Sequence, residues 1–216
     1  MTVPPRQGRV RKDRQERILK AAESVFASEG FERASVASIA EKAKLPKANL
    51  FYYFSSKEEL YQSLINEIFR DCQQIFAAFS AEAGPRVGIE RFLRDSLHFC
   101  RHRPDAARIF GEMTIRAVPA VGSEVLEALR RMMADKAQLI DAWVAKGTVC
   151  PVDGRHLLAA FWAMTQYYAV FDQQMRRDPQ KNGLSDDEWN FIENQVICYA
   201  WRILGLDAEV RTECCA

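Results

Sequence analysis

Apolar residues recur every three to four positions along almost the whole chain, which is the period of an α-helix and not that of a strand. The first such stripe starts at about Lys12 and contains Ile18, Ala22 and Phe26. Gly30 then supplies a stop signal, because glycine adopts the backbone conformation that ends many helices. The pattern therefore predicts a first helix that ends at Gly30 and buries one face.

Two short helices are predicted next. Ser35 is a suitable N-cap for a second helix that ends near Lys42, and Pro46 suits the first turn of a third. A tight connection falls between them, at Lys44 and Leu45. Two short helices joined by a tight turn are typical of the helix-turn-helix unit, which places its second helix in the major groove of DNA. A generic helical hairpin has the same outline.

The rest of the chain shows helical periods as well. Ser56 and Glu59 form a capping-box pattern that opens a long fourth helix, and Gly84 with Pro85 breaks it. Further helices are predicted at 87–101, 104–118, 125–145, 154–177 and 185–204. The expected fold is all-α, with a flexible basic arm at 1–11, a three-helix domain at 12–56 and a larger helical domain at 57–210.

Charge divides the chain in the same place. Residues 1–57 carry 12 Lys and Arg against 6 Asp and Glu, whereas the remainder carries 18 against 23. An electropositive domain in front of a mildly acidic one predicts that the first domain meets a polyanion. The sequence contains neither a run of apolar residues long enough to span a bilayer nor a signal peptide, and we expect a cytoplasmic protein.

Other chemistry is weakly represented. The six cysteines are scattered without zinc-site spacing, and the adjacent Cys214 and Cys215 are more typical of incidental thiols at a terminus than of an oxidant sensor. His98 and His102 stand one helical turn apart but lack a third ligand nearby. We therefore expect no metal and no cofactor. Phosphate-binding loops, nucleophile elbows and paired catalytic acids are absent from the sequence, which argues against an enzyme.

The string at 35–60, SVASIAEKAKLPKANLFYYFSSKEEL, strongly resembles the TetR family of bacterial regulators. Residues 35–40 match the T-V-x-x-I-A opening of that family, residues 52–54 match the end of its recognition helix, and residues 56–60 match the S-K-E-x-L start of its fourth helix. The resemblance implies a regulator that binds a double-stranded DNA operator as a homodimer. Where the family usually has glycine in the turn and Ser or Thr as a cap, Lys44 and Pro46 stand here, which leaves the preferred operator open.

The resemblance also implies which residues contact DNA. Those at the start of the third helix face base edges or phosphates, and Asn49 suits adenine. One of two adjacent tyrosines donates its hydroxyl to a phosphate while the other packs, and we expect Tyr53 to be the outward one. Lys57 meets a phosphate at the start of the fourth helix. The full set is Lys44, Lys47, Ala48, Asn49, Tyr52, Tyr53 and Lys57.

The stretches at 101–113 and 139–171 resemble the C-terminal domain of the pyrimidine-utilisation regulators within the TetR family. The implied ligand is a small, planar, polar effector such as uracil or thymine. Trp162, Thr165 and Gln166 match a W-x-x-T-Q segment, in which an amide faces an imide edge and an aromatic ring stacks on the ligand. Alternatively, Trp162 belongs to the core and Gln166 satisfies a backbone group at a dimer interface. Met113, next to Glu112, is a peripheral candidate for which ordinary packing is the simpler explanation.

The last two predicted helices carry apolar surfaces too wide for a single buried stripe, with Phe161 and Tyr168 on one and Trp189 and Tyr199 on the other. In the TetR family these helices form the dimer interface, and we expect the same here. The combined prediction is a repressor that a small-molecule effector releases from a palindromic operator. An activator remains open, and so does a DNA-bound architectural or protein-recruiting factor without an effector.

Overall fold

The structure is a computed structural model of the chain, and it describes residues 6–115, 118, 120–171, 180 and 183–207. Cys214, Cys215 and residues 172–177 of a predicted helix lie outside the described residues. Within the described ranges the secondary structure is helical without a strand, which confirms the all-α prediction. The helices are α1 (Arg6–Arg33), α2 (Val36–Lys42), α3 (Lys47–Tyr53), α4 (Lys57–Ala77), α5 (Gly84–His102), α6 (Pro104–Ile115), α7 (Ser123–Ala145), α8 (Gly154–Val170) and α9 (Asp186–Leu204).

Helix α1 differs from its prediction at both ends. It begins at Arg6, so residues 6–11 of the expected flexible arm are helical. Arginine and glutamine, which make up four of these six residues, are good helix formers, whereas Gly8 and Val10 are weaker ones. At the other end Gly30, with φ 75° and ψ 164°, interrupts α1 as predicted, and one more helical turn follows before Arg33.

Helix α8 ends at Val170, where Phe171 caps it with φ −114° and ψ 27°, so the predicted helix is interrupted at this point. Its predicted remainder, 172–177, lies outside the described residues. No glycine or proline stands between 171 and 177 to mark an end, which is why periodicity extended the helix.

The described helices belong to two compact units. The first comprises Met1–Arg70 and Arg108–Val125, and the second comprises Asp71–Ala107 and Leu126–Ala216. The predicted domain boundary at residue 57 therefore falls inside the first unit. Packing explains the difference, because Leu60, Leu64 and Ile68 of α4 are fully buried there.

An aromatic cluster holds the first unit together. The ring of Phe26 in α1 meets Tyr61 of α4 edge-on at 4.9 Å between centroids, and Phe31 lies 4.8 Å from the same tyrosine. Burial, with a contribution from Glu112, raises the pKa of Tyr61 to about 12. The phenol is therefore neutral at physiological pH and acts as part of the core.

The second unit is built on contacts among α5, α8 and α9. Its core contains Phe79, Phe92, Trp143 and Phe161. Helix α8 begins in very close contact with α7, where the Gly154 N–H donates to Asp141 Oδ1 at 2.9 Å. In the part of the chain that the structure describes, no helix is both long and apolar enough to cross a membrane.

Candidate nucleic-acid interface and effector cavity

The turn between α2 and α3 is a Schellman motif. The Lys44 N–H donates to the Glu41 carbonyl at 2.9 Å, and the Leu45 N–H donates to Ala40 at 3.0 Å. Lys44 adopts φ 53°, the left-handed conformation that favours glycine. A side chain in that conformation costs about 1 kcal/mol. In return the chain gains an exposed cation beside the third helix.

Helix α3 presents three consecutive predicted residues to solvent. Pro46 is its N-cap, one position before the predicted first turn, and provides no side-chain hydrogen bond. Lys47, Ala48 and Asn49 are exposed, whereas Leu50 is fully buried and fixes the helix to the core. The predicted base-facing residues therefore share one accessible surface.

The two tyrosines differ in exposure in the order opposite to our expectation. Tyr52 is 71% exposed, whereas Tyr53 is half-buried. Tyr53 and Phe54 follow the buried Leu50 by three and four positions, which places them on the core-facing side of α3. The rings of Tyr52 and Tyr53 meet edge-on at 5.1 Å. Exposure therefore favours Tyr52 as the phosphate donor.

Lys57 is held in a different place from the one predicted. Its ammonium donates to the carbonyls of Phe31 at 2.8 Å and Ala34 at 3.2 Å, with a weaker contact to Glu32 at 3.4 Å. It also lies 4.4 Å from the centroid of the Phe31 ring. These carbonyls end α1, and a cation stabilises the negative end of a helix. The geometry differs from the expected phosphate contact and favours a structural role.

A substitution separates the two roles of Lys57. Lys57→Met keeps an unbranched side chain but removes the ammonium from the Phe31 ring and the donors from the end of α1. We expect it to lower the free energy of unfolding by about 1 to 3 kcal/mol. Chemical denaturation measures this loss. In salt titrations of DNA binding, Lys57→Met should retain the wild-type slope while Lys47→Met flattens it. If both variants flatten the salt dependence equally, the result would support the phosphate contact of Lys57 that the sequence predicted.

Arg17 makes a similar contact that the sequence did not indicate. Its guanidinium donates to the carbonyl of Ala43, the C-cap of α2, at 2.6 Å. Like Lys57, it places a cation at the end of a helix and ties α1 to the helix-turn-helix turn. No local pattern predicts this contact, because the partners are 26 residues apart.

A cavity in the second unit lies among α4, α5 and α8 and brings together three of the predicted effector residues. About 290 Å³ of empty space, part of it open to solvent, is lined by Trp162, Thr165 and Gln166. The lining also includes Cys72, Ile75, Phe76, Ser96 and Phe99, which sequence analysis did not single out. Met113 is buried in the first unit and is not part of this lining.

The polar groups of the cavity are mainly hydrogen-bond acceptors. Ser96 Oγ donates to the Phe92 carbonyl at 2.7 Å, and Thr165 Oγ1 is 3.1 Å from the carbonyls of both Phe161 and Trp162. Both hydroxyl protons are therefore engaged, and the oxygens keep lone pairs for a ligand. Gln166 Oε1 is buried without a hydrogen-bond partner among the described residues. An unsatisfied buried acceptor is costly unless something fills it.

The cavity is also electrically neutral. The described residues that line it include no Asp, Glu, Lys or Arg. Burial, assisted by Asp71 and Cys100 and opposed by Arg103, raises the pKa of the Cys72 thiol to about 12. That thiol stays protonated and weakly nucleophilic at physiological pH. The site therefore suits an uncharged molecule better than an anion or a cation.

Exposed apolar side chains collect on the last two described helices. They are between 38% and 55% exposed, and they are Tyr167, Val170, Phe171, Phe191, Tyr199 and Ile203. Large apolar groups at this density on two neighbouring helices are typical of an interface with another chain.

Known proteins match both units. Residues 18–64 match the family described as "Bacterial regulatory proteins, tetR family", and residues 65–206 match "YcdC-like protein, C-terminal region". The HTH-type transcriptional regulator RutR of Escherichia coli (strain K12) is 35% identical over 158 residues, covering 73% of this chain and 74% of that protein. The HTH-type transcriptional repressor NicS of Pseudomonas putida is 31% identical over 139 residues, covering 60% and 63%.

Solved structures show the same fold. The ketosteroid regulator KstR2 of Mycobacterium tuberculosis aligns with a TM-score of 0.69 at 15% identity, covering 94% of this chain and 97% of that one. AibR, in complex with isovaleryl coenzyme A and operator DNA, aligns with a TM-score of 0.68 at 17% identity, covering 86% and 97%. With its helix-turn-helix unit and these matches across most of its length, the chain belongs to the TetR family of DNA-binding transcriptional regulators.

Proposed function

We propose that this regulator is a cytoplasmic repressor that binds a palindromic operator and is released by a small, uncharged effector with N–H donors. The observation that carries the effector class is the buried Gln166 Oε1, which has no hydrogen-bond partner among the described residues and belongs to a side chain that lines a neutral cavity. Binding of an N–H donor there removes an unfavourable buried acceptor, so the ligand gains affinity from the group that the free protein leaves unsatisfied.

A pyrimidine such as uracil or thymine fits this chemistry. Its imide N–H meets the Gln166 oxygen, and the second ring N–H has Thr165 and Ser96 oxygens as acceptors. The planar ring stacks on aromatic groups such as Trp162 or Phe99. The volume of about 290 Å³ includes space that is open to solvent, so the enclosed part is small, which favours a single ring over a large acyl chain.

Operator binding rests on α3 and on pairing of two protomers. Lys47, Ala48 and Asn49 provide the base-facing surface, and Tyr52 adds a hydroxyl for a phosphate. One helix-turn-helix unit contacts only a few base pairs, so a two-fold dimer doubles the recognised length. We assign the dimer interface to the exposed apolar side chains of α8 and α9.

Helix α4 is the element through which effector and operator communicate. Its first part belongs to the unit that contains α3, and its last part contributes Cys72, Ile75 and Phe76 to the cavity. Release requires the effector to bind the DNA-free conformation more tightly, and a hundredfold preference corresponds to about 2.7 kcal/mol.

A ligand series tests the effector class. The full-length protein is bound to a duplex that it selects from a random-sequence library, and release is followed by fluorescence anisotropy. We expect uracil or thymine to release the duplex. We expect no release by 1,3-dimethyluracil, which has the same ring without N–H donors, or by benzoate, which is planar but charged. Release by dimethyluracil would contradict the donor requirement, and no release by any of the four would favour an architectural factor.

A further inference from the structure

The N-terminal part of α1 extends beyond the three-helix core. Residues 10–17 are all exposed, and Ile18 is the first described residue of α1 that is buried. From Arg6 to Arg17 the helix covers about 18 Å at a rise of 1.5 Å per residue. A helix with no buried face gains little from packing, and the Lys12–Glu16 pair at 3.9 Å adds only a few tenths of a kcal/mol.

This extension is strongly basic. Between residues 6 and 17 the sequence contains six arginines and lysines against Asp13 and Glu16. Arg17 is committed to the carbonyl of Ala43. Arg11 and Arg14 are three positions apart and precede Ile18 by seven and four, so both lie on the continuation of the core-facing side of α1.

The extension contacts the third helix through Arg11. The Arg11 guanidinium lies 6.0 Å from the centroid of the Tyr52 ring, at the outer limit of a cation–π interaction. Tyr52 is the exposed tyrosine of α3, the helix that carries Lys47 and Asn49. The basic side of the extension and the base-facing surface are therefore continuous within the first unit.

We propose that the first turns of α1 are a second DNA-contacting element, in which Arg11 and Arg14 bind phosphates next to each half-site and Arg11 also orients the Tyr52 hydroxyl. The inference rests on operator binding by α3. Continuity with that surface favours DNA over other polyanions. Because the extension is already helical, DNA binding orders fewer residues than a flexible arm would require, which reduces the entropic cost.

The test compares two double variants that remove the same charge. Arg11→Ala with Arg14→Ala should lower the slope of log K against log salt by about 3 to 4 units for a dimer, because each lost phosphate contact removes about 0.9. Hydroxyl-radical footprinting should lose protection outside the half-sites. The control, Lys20→Ala with Arg33→Ala, removes two exposed cations of α1 that follow Ile18 and should keep the wild-type slope. Alanine favours helix, so circular dichroism should be unchanged.

The same series separates this inference from the proposed function. Equal slopes and footprints for the two double variants would overturn the second DNA element. If Lys47→Ala still flattens the slope in that case, operator binding by α3 stands and only the present inference fails. If the wild-type protein enriches no duplex from the random-sequence library, both the proposed function and this inference are wrong.

Discussion

Gln166→Leu should abolish effector-dependent release while leaving operator affinity unchanged. Leucine is an apolar side chain one methylene shorter than glutamine and provides no acceptor, so uracil loses its partner for the imide N–H. The same substitution removes a buried acceptor that has no partner within the part of the chain that the structure describes. We therefore expect the ligand-free variant to be more stable by about 1 kcal/mol, since an unsatisfied buried acceptor costs about 1 to 3 kcal/mol.

Two measurements check this pair of effects. Anisotropy with the selected duplex follows operator binding with and without uracil, and thermal unfolding follows stability. Tyr52→Phe is the matched control, because it lies on α3 and should weaken operator binding while keeping the uracil response. A Gln166→Leu protein that uracil still releases would contradict the role assigned to the amide. A variant that is less stable than the wild type would show that the amide oxygen has a partner.

Gly154→Ala should be the most destabilising single substitution considered. A Cβ at this position would lie 2.3 Å from the Ala137 carbonyl oxygen and 2.8 Å from Asp141 Oδ1, and backbone cannot move away cheaply. Overpacking of this kind costs about 3 kcal/mol, which corresponds to a fall in Tm of about 6 to 12 °C for a chain of this size. Since Gly154 begins α8, the change also disturbs the helix that carries Trp162 and Gln166.

Gly88→Ala is the control, and we expect it to change stability in the opposite direction. Gly88 lies inside α5, and a Cβ there would meet Phe79 at an ordinary contact distance of 3.5 Å. Alanine is favoured over glycine within a helix by about 1 kcal/mol, so the variant should melt above the wild type. Differential scanning calorimetry measures the melting temperatures of the two variants and of the wild type. A Gly154→Ala protein as stable as Gly88→Ala would mean that α7 and α8 are not in close contact.

Local signals predicted much of the fold. The helical period gave the all-α class, Ser35 caps α2 through the predicted side chain, and Gly30 interrupts α1. The role of Lys57 could not be predicted in this way, because its carbonyl partners lie 23 to 26 residues away. The exposure of Tyr52 was accessible in principle from the three-residue spacing between Leu50 and Tyr53.

The residues that line the cavity were also predictable only where they lie close together in the sequence. Trp162, Thr165 and Gln166 lie within five positions on one helix, so a local motif could indicate them together. Ser96 and Cys72 come from two other helices and have the spacing of ordinary core residues, which gives no sign of a ligand. Whether a polar atom in such a place has a partner depends on the packing of three helices and not on any one segment.

Native mass spectrometry of the purified full-length protein tests the central claim most directly. Spectra are recorded without DNA and with the selected operator duplex. The account predicts a DNA-free dimer that carries one small, uncharged molecule per protomer, and an operator complex that contains the dimer without that molecule. A dimer that holds the same molecule equally with and without operator, or that holds none in either state, would contradict effector-controlled release.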